Sequence, residues 1–113
     1  MQRRKHERYK LWFPVQITTN EFGALAINHN VGGGGMMVAS NAALKVGQKV
    51  KVSFSLPPGG PERVRKAVIV RIEPNTDDPE GTWPNRLALE FSEPDRELED
   101  LVIAAQEHIA SHV

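Results

Sequence analysis

Val50, Val52, Phe54 and Leu56 alternate strictly with Lys49, Lys51, Ser53 and Ser55. This is the period of two that turns one face of a β-strand to a core and the other to water. The same rule predicts five further strands. Residues 11–18 mix aromatic and β-branched side chains, with Val15 and Ile17 alternating against Gln16 and Thr18. Pro14 has no amide hydrogen for a ladder, so it belongs near the start of that strand or on an edge. Asn20 and Glu21 turn the chain into a second strand over residues 22–29, and a third, short one follows over residues 36–39. The strand over residues 49–56 is entered by a turn at Lys45-Val46-Gly47-Gln48 and closed by the hairpin run PPGGP at residues 57–61. A fifth strand spans residues 63–73. Its apolar residues fall on both alternations, Ala67 and Ile69 on one and Val68, Val70 and Ile72 on the other, so its middle is expected to be buried on both faces. After a polar loop over residues 74–85, Leu87, Leu89 and Phe91 alternate in a sixth strand.

Beyond Phe91 the period changes. Ser92-Glu93-Pro94-Asp95 has the form of a helix start, with Ser92 as N-cap, an acid three residues later and proline in the first turn. Leu98, Leu101, Val102, Ala105 and Ile109 then form one apolar stripe at helical spacing, which predicts an amphipathic cover running to about residue 110. Six short strands and one helix make a mainly β fold, a six-stranded antiparallel β-barrel with a C-terminal α-helix.

The 113 residues, 40% of them hydrophobic, suffice for one core and one domain. The 14 basic and 14 acidic residues balance, which argues against a surface that coats nucleic acid or membrane. The distribution is uneven, however. Residues 1–10 hold Arg3, Arg4, Lys5, Arg8 and Lys10 against Glu7 alone, whereas residues 73–100 hold ten acids against Arg86 and Arg96. A mobile basic N-terminal segment, residues 1–10, is therefore distinguished from the barrel and helix of residues 11–113. No cysteine is present, which fits a reducing compartment, and no apolar run approaches the ~20 residues needed to span a bilayer. A cytoplasmic protein without membrane insertion is expected.

Catalytic motifs fail to assemble. There is no Gly-x-Ser-x-Gly elbow, and the glycines 32–35 are followed by Met36 rather than by Lys and a hydroxyl residue, so neither hydrolase chemistry nor a phosphate loop is indicated. His108 and His112 stand four apart in the last helical turn, where imidazoles interact favourably with the helix dipole, so no metal site, cofactor or enzymatic activity is expected. His6 and His29 are assigned no role. Four consecutive glycines inside ordered structure lose much chain entropy on folding. A linker, a phosphate cradle or a place where another molecule lies on the backbone would each account for them.

Two segments decide among these. Arg3-Arg4-Lys5-His6-Glu7-Arg8 places three planar guanidinium forks, suited to phosphates and to stacking on bases, just before the first strand. About twenty residues later comes Asn28-His29-Asn30-Val31-Gly32-Gly33. Together they resemble the PilZ domain family of bacterial cyclic di-GMP receptors, whose signature is Arg-Arg-x-x-x-Arg followed by Asp/Asn-x-Ser-x-x-Gly. Arg3, Arg4, Arg8, Asn28 and Gly33 match it, and Asn30 stands where the family usually has serine. The resemblance implies that Arg4 and Arg8 clamp phosphates and stack on guanines, reinforced by Arg3. It further implies that Asn28 and Asn30 hydrogen-bond guanine or phosphate and that Gly33 leaves room for the ligand. The function implied is a second-messenger receptor whose arginine segment becomes ordered on cyclic di-GMP and is then read by a downstream protein. Two rival readings are a module of the same fold that no longer binds nucleotide, for which Asn30 is the signal, and a small nucleic-acid-binding barrel. Against the latter stand the acidic second half and the lack of a row of exposed aromatics.

Overall fold

The computed structural model describes residues 8–57, 59–78 and 80–111; for residue 8 and residues 108–111 the backbone alone is described. In chain order the strands are β1 (Arg8–Lys10), β2 (Pro14–Thr18), β3 (Gly23–Gly32), β4 (Gly35–Ser40), β5 (Lys49–Ser55), β6 (Glu62–Pro74) and β7 (Asn85–Phe91), followed by the helix α1 (Arg96–Ser111). All pairings are antiparallel, in the order β3-β2-β5-β6-β7-β4, and the pairing of β4 with β3 closes six strands into a barrel. β1 is an addition to this ring. It lies along the C-terminal half of β3, with Arg8 opposite Gly32, Tyr9 opposite Val31 and Lys10 opposite Asn30.

The expected barrel and helix are both present, and the alternation that predicted β5 is seen in its burial: Val50, Val52 and Phe54 point inward, where they pack with Val15, Ile17 and Ile69. Each such burial contributes about 1.5 to 3 kcal/mol. Pro14 begins β2, where its missing N–H costs nothing. The turn after β2 is held by Thr19, whose Oγ1 accepts from the amides of Glu21 (3.1 Å) and Phe22 (3.0 Å). At the end of β5, Leu56 O accepts from Gly59 and Gly60, and Gly59 takes a positive φ of 106° that a side chain would resist.

Three expectations are corrected. The strand expected at residues 11–18 begins only at Pro14: residues 11–13 leave the ladder, although the alternation runs on through them, with Leu11 and Phe13 buried and Trp12 62% exposed. Pairing with β3 starts earlier in the chain, at Arg8 of β1. The middle of β6 is not buried on both faces: Ala67 and Ile69 are inside, but a bulge between Ile69 and Arg71 leaves Val70 44% exposed. The helix is capped by Asp95, not Ser92. The Ser92 amide is still in the sheet, donating to Lys66 O (2.9 Å), and the first turn forms where Asp95 Oδ1 accepts from the Leu98 amide (2.9 Å). Leu98, Val102 and Ala105 of α1 close the core and Leu101 is half-buried. Among the described residues no helix is long and apolar enough to cross a membrane.

Candidate ligand-binding site

The glycines form the turn between β3 and β4, and none has a positive φ, so conformational freedom is not why they are there. Close packing is. Asp95 N donates to Gly33 O (2.7 Å) and Phe91 N to Gly34 O (2.9 Å), seating the turn on the start of α1 and the end of β7. A Cβ on Gly33 would stand 2.9 Å from Asp95 O and 3.0 Å from Glu99 Oε2, and one on Gly35 would collide with the backbone carbonyl of Leu89. What lies against Gly33 in this structure is thus the N-terminus of α1.

One residue upstream, Gly32 is paired with Arg8, so the third arginine of the basic segment enters the fold at the glycine turn. The break at residues 11–13 is spanned by Leu11 N donating to His29 O (3.4 Å) and Asn28 N donating to Phe13 O (2.8 Å). Asn28 is fully buried, and its Nδ2 donates to Leu11 O (2.6 Å), supplying the bond the broken ladder lacks. This ties the chain just after the arginine segment to β3. Asn28 Oδ1 and Asn30 Oδ1 are both buried without a protein partner. Leaving such an acceptor unmet costs about 1 to 3 kcal/mol, and a concentration of them on one stretch of strand marks a place where something else can bond.

On the outside of the barrel a bulge between Asn28 and Asn30 turns His29 toward Trp12, ring centroids 4.4 Å apart and planes at 46°. His29 is shifted below the ordinary imidazole value, first because it is partly buried and next because Arg86 is near, with Asp77 opposing. Arg86 donates from Nη2 to Asp77 Oδ2 (2.6 Å), while its Nε is buried with no partner. No spacing or motif along the chain singles out Trp12, His29 and Arg86 as a group. The alternation of Leu87, Leu89 and Phe91 does turn Arg86 outward, but only barrel closure through β4 brings β7 within one strand of β3.

Arg3, Arg4, His6 and His112 lie outside the described residues. Among the described residues no group of three His, Cys, Asp or Glu side chains is placed to hold a metal. An open pocket of about 260 Å³ between α1 and the β5–β6 turn is lined chiefly by Leu56, Pro57, Leu101 and Ala105. Its one charged residue, Arg63, is paired with Glu97 at 3.4 Å.

The chain has solved structural counterparts. It is similar to the PilZ domain of YcgR from Escherichia coli determined with c-di-GMP, at 16% identity and a TM-score of 0.76 over 98% of this chain and 97% of that one. It is also similar to the Bacillus subtilis inhibitor of motility MotI/DgrA, at 22% identity and a TM-score of 0.73, where it covers 98% of its own length but 53%, about half, of the other chain. No curated protein matches it. At such identities the likeness is one of fold, with the same barrel and C-terminal helix. The PilZ domain family model matches residues 2–105, taking in the arginine segment, the barrel and most of α1, and the chain belongs to that family.

Proposed function

We propose that this protein is a cyclic di-GMP receptor that binds through Arg3, Arg4 and Arg8 together with Asn28, Asn30 and Gly33, and passes the signal on through a protein contact rather than by catalysis. The observation that carries the reading is the pairing of Arg8 with Gly32 beside two buried, unpartnered amide oxygens on β3, Asn28 Oδ1 and Asn30 Oδ1. The arginines supply donors and positive charge for the phosphates, the Asn30 oxygen supplies an acceptor for the N–H groups of a guanine, and Asn28 serves by tying the chain just after the arginines to β3. The YcgR domain determined with c-di-GMP has this fold, which supports the same ligand here. Gly33 serves the site indirectly, by letting the glycine turn seat on α1 so that β3 is held at the correct height.

The ligand's two phosphates neutralise part of the charge of the basic segment and bridge it to the barrel, and the composite surface is what a downstream protein reads. Isothermal titration of the purified chain with cyclic di-GMP tests the reading and returns affinity and stoichiometry together. Absence of heat and of any shift in thermal midpoint, at ligand concentrations up to the millimolar range, would sink it.

A further inference from the structure

We infer that Arg86, with Asn30 and the exposed face of Trp12, forms a subsite that reads the hydrogen-bonding edge of a guanine base. This subsite presupposes the cyclic di-GMP reading above and deepens it, adding two residues outside the signature motifs.

The strand registers set the geometry. On the outer face Lys10, Asn30, Met37, Ala88 and Arg71 are successive cross-strand neighbours, and Ile27, Ala39, Arg86 and Glu73 form the adjacent row. Arg86 and β3 are therefore separated by one strand, and the residue between them is Ala39, whose methyl group leaves a long side chain free to lie across β4. The effect of the Arg86 charge on His29 is the electrostatic sign of that approach.

Among the described residues three buried side-chain atoms lack a hydrogen-bond partner: Asn28 Oδ1, Asn30 Oδ1 and Arg86 Nε. All three lie on the two strands that flank β4. Asn28 Oδ1 belongs to a fully buried residue turned to Leu11, so the outer face carries one acceptor, Asn30 Oδ1, and one cationic donor, Arg86 Nε, and this mixture selects the ligand group. A phosphate offers acceptors only, so it would satisfy Arg86 and leave the Asn30 oxygen unmet. Guanine offers the O6 and N7 acceptors, the pair an arginine fork matches, and also N1–H and N2–H donors for an amide oxygen. Adenine lacks the second acceptor beside N7. Asp77, bonded to Nη2, fixes the guanidinium without occupying Nε. Trp12, 62% exposed and resting against His29, offers a face on which a purine can stack.

The test uses the full chain and two ligands, cyclic di-GMP and its analogue with carbon in place of guanine N7. Wild type should bind the analogue about tenfold more weakly, the share of one lost charged hydrogen bond. Arg86→Ala should bind cyclic di-GMP about tenfold more weakly than wild type and should no longer distinguish the two ligands. Arg86→Lys, which keeps the charge without the fork, should resemble Arg86→Ala, and circular dichroism should show all three proteins folded alike. Wild-type affinity in Arg86→Ala overturns the subsite, as does weakened binding that still discriminates tenfold, or a wild type that binds both ligands equally. A wild type that binds neither ligand refutes the receptor reading itself, before Arg86 is changed.

Discussion

Replacing Asp95 by alanine should loosen the start of α1 by an amount that can be worked from its contacts. Asp95 Oδ1 accepts from the Leu98 amide at 2.9 Å as the helix N-cap, and Oδ2 accepts from Arg65 Nε at 2.6 Å. Loss of an N-cap costs about 1 kcal/mol. The ion pair is partly buried, with side chains 14% and 29% exposed, so its share lies at the upper end of the surface range, about 1 kcal/mol. Asp95→Ala should therefore destabilise by about 2 kcal/mol. Asp95→Asn, which keeps a good cap and loses the charge, should cost about 1 kcal/mol. For a domain of this size 1 kcal/mol corresponds to about 4 °C in thermal midpoint, so the expected falls are about 8 °C and about 4 °C. Differential scanning calorimetry of the two variants and of Arg65→Ala, which should fall by about as much as Asp95→Asn, checks the partition. Equal midpoints for Asp95→Ala and Asp95→Asn would refute the capping role, and an Arg65→Ala midpoint at the wild-type value would refute the ion pair.

Burial alone would raise the Asp95 carboxyl, but the Leu98 amide, the Arg65 hydrogen bond and the charges of Arg65 and Arg63 outweigh it and hold the group below its usual range. A depressed folded-state value means that the stability it contributes is complete above about pH 4 and is lost as pH falls through the folded value. The midpoint gap between wild type and Asp95→Asn should accordingly shrink on acidification below pH 4, and a gap constant from pH 7 to pH 2 would contradict this. Gly33→Ala forces a methyl to within 2.9 Å of Asp95 O and should cost about 1 to 3 kcal/mol in chemical denaturation; an unchanged transition would show that the helix start yields freely. Arg4→Ala and Arg8→Ala should each weaken cyclic di-GMP binding tenfold to hundredfold in titration with the circular dichroism spectrum unchanged, and retained affinity would remove them from the site. Asn30→Ala should weaken cyclic di-GMP binding by about 0.5 to 1.5 kcal/mol, and unchanged affinity would remove the Asn30 amide from the site.

The parts of the fold that could be read directly from the sequence are those that repeat. Val50 to Leu56 and Leu98 to Ala105 declare their periods over several residues, and the core took those same side chains. Features fixed by a single contact between distant segments were hidden. Ser92 and Asp95 are equally good caps in isolation. The choice falls to Asp95 because the Ser92 amide donates to Lys66, about 26 residues away along the chain, as one more rung of an antiparallel ladder. The close packing of the glycine turn is not legible in the sequence because its tightest neighbours, Asp95, Glu99 and Leu89, come from the other half of the chain. The motif asparagines could be found by spacing. That Asn28 would turn inward to Leu11 O could not, because the ladder breaks at residues 11–13 while the alternation of Leu11, Phe13, Val15 and Ile17 runs on through the break.

Because β3 and β4 pair directly, the ring of six strands is complete without β1, which adds three residues to its outside. Sheets usually run a risk when an outer strand leaves, since the bared edge is a template on which another chain can pair. Here departure of β1 would bare only residues 30–32 of β3, a stretch that ends in glycine and is too short to recruit a foreign strand. The architecture thus allows the arginine-bearing strand to be exchanged, displaced or redesigned while the barrel behind it stays resistant to aggregation.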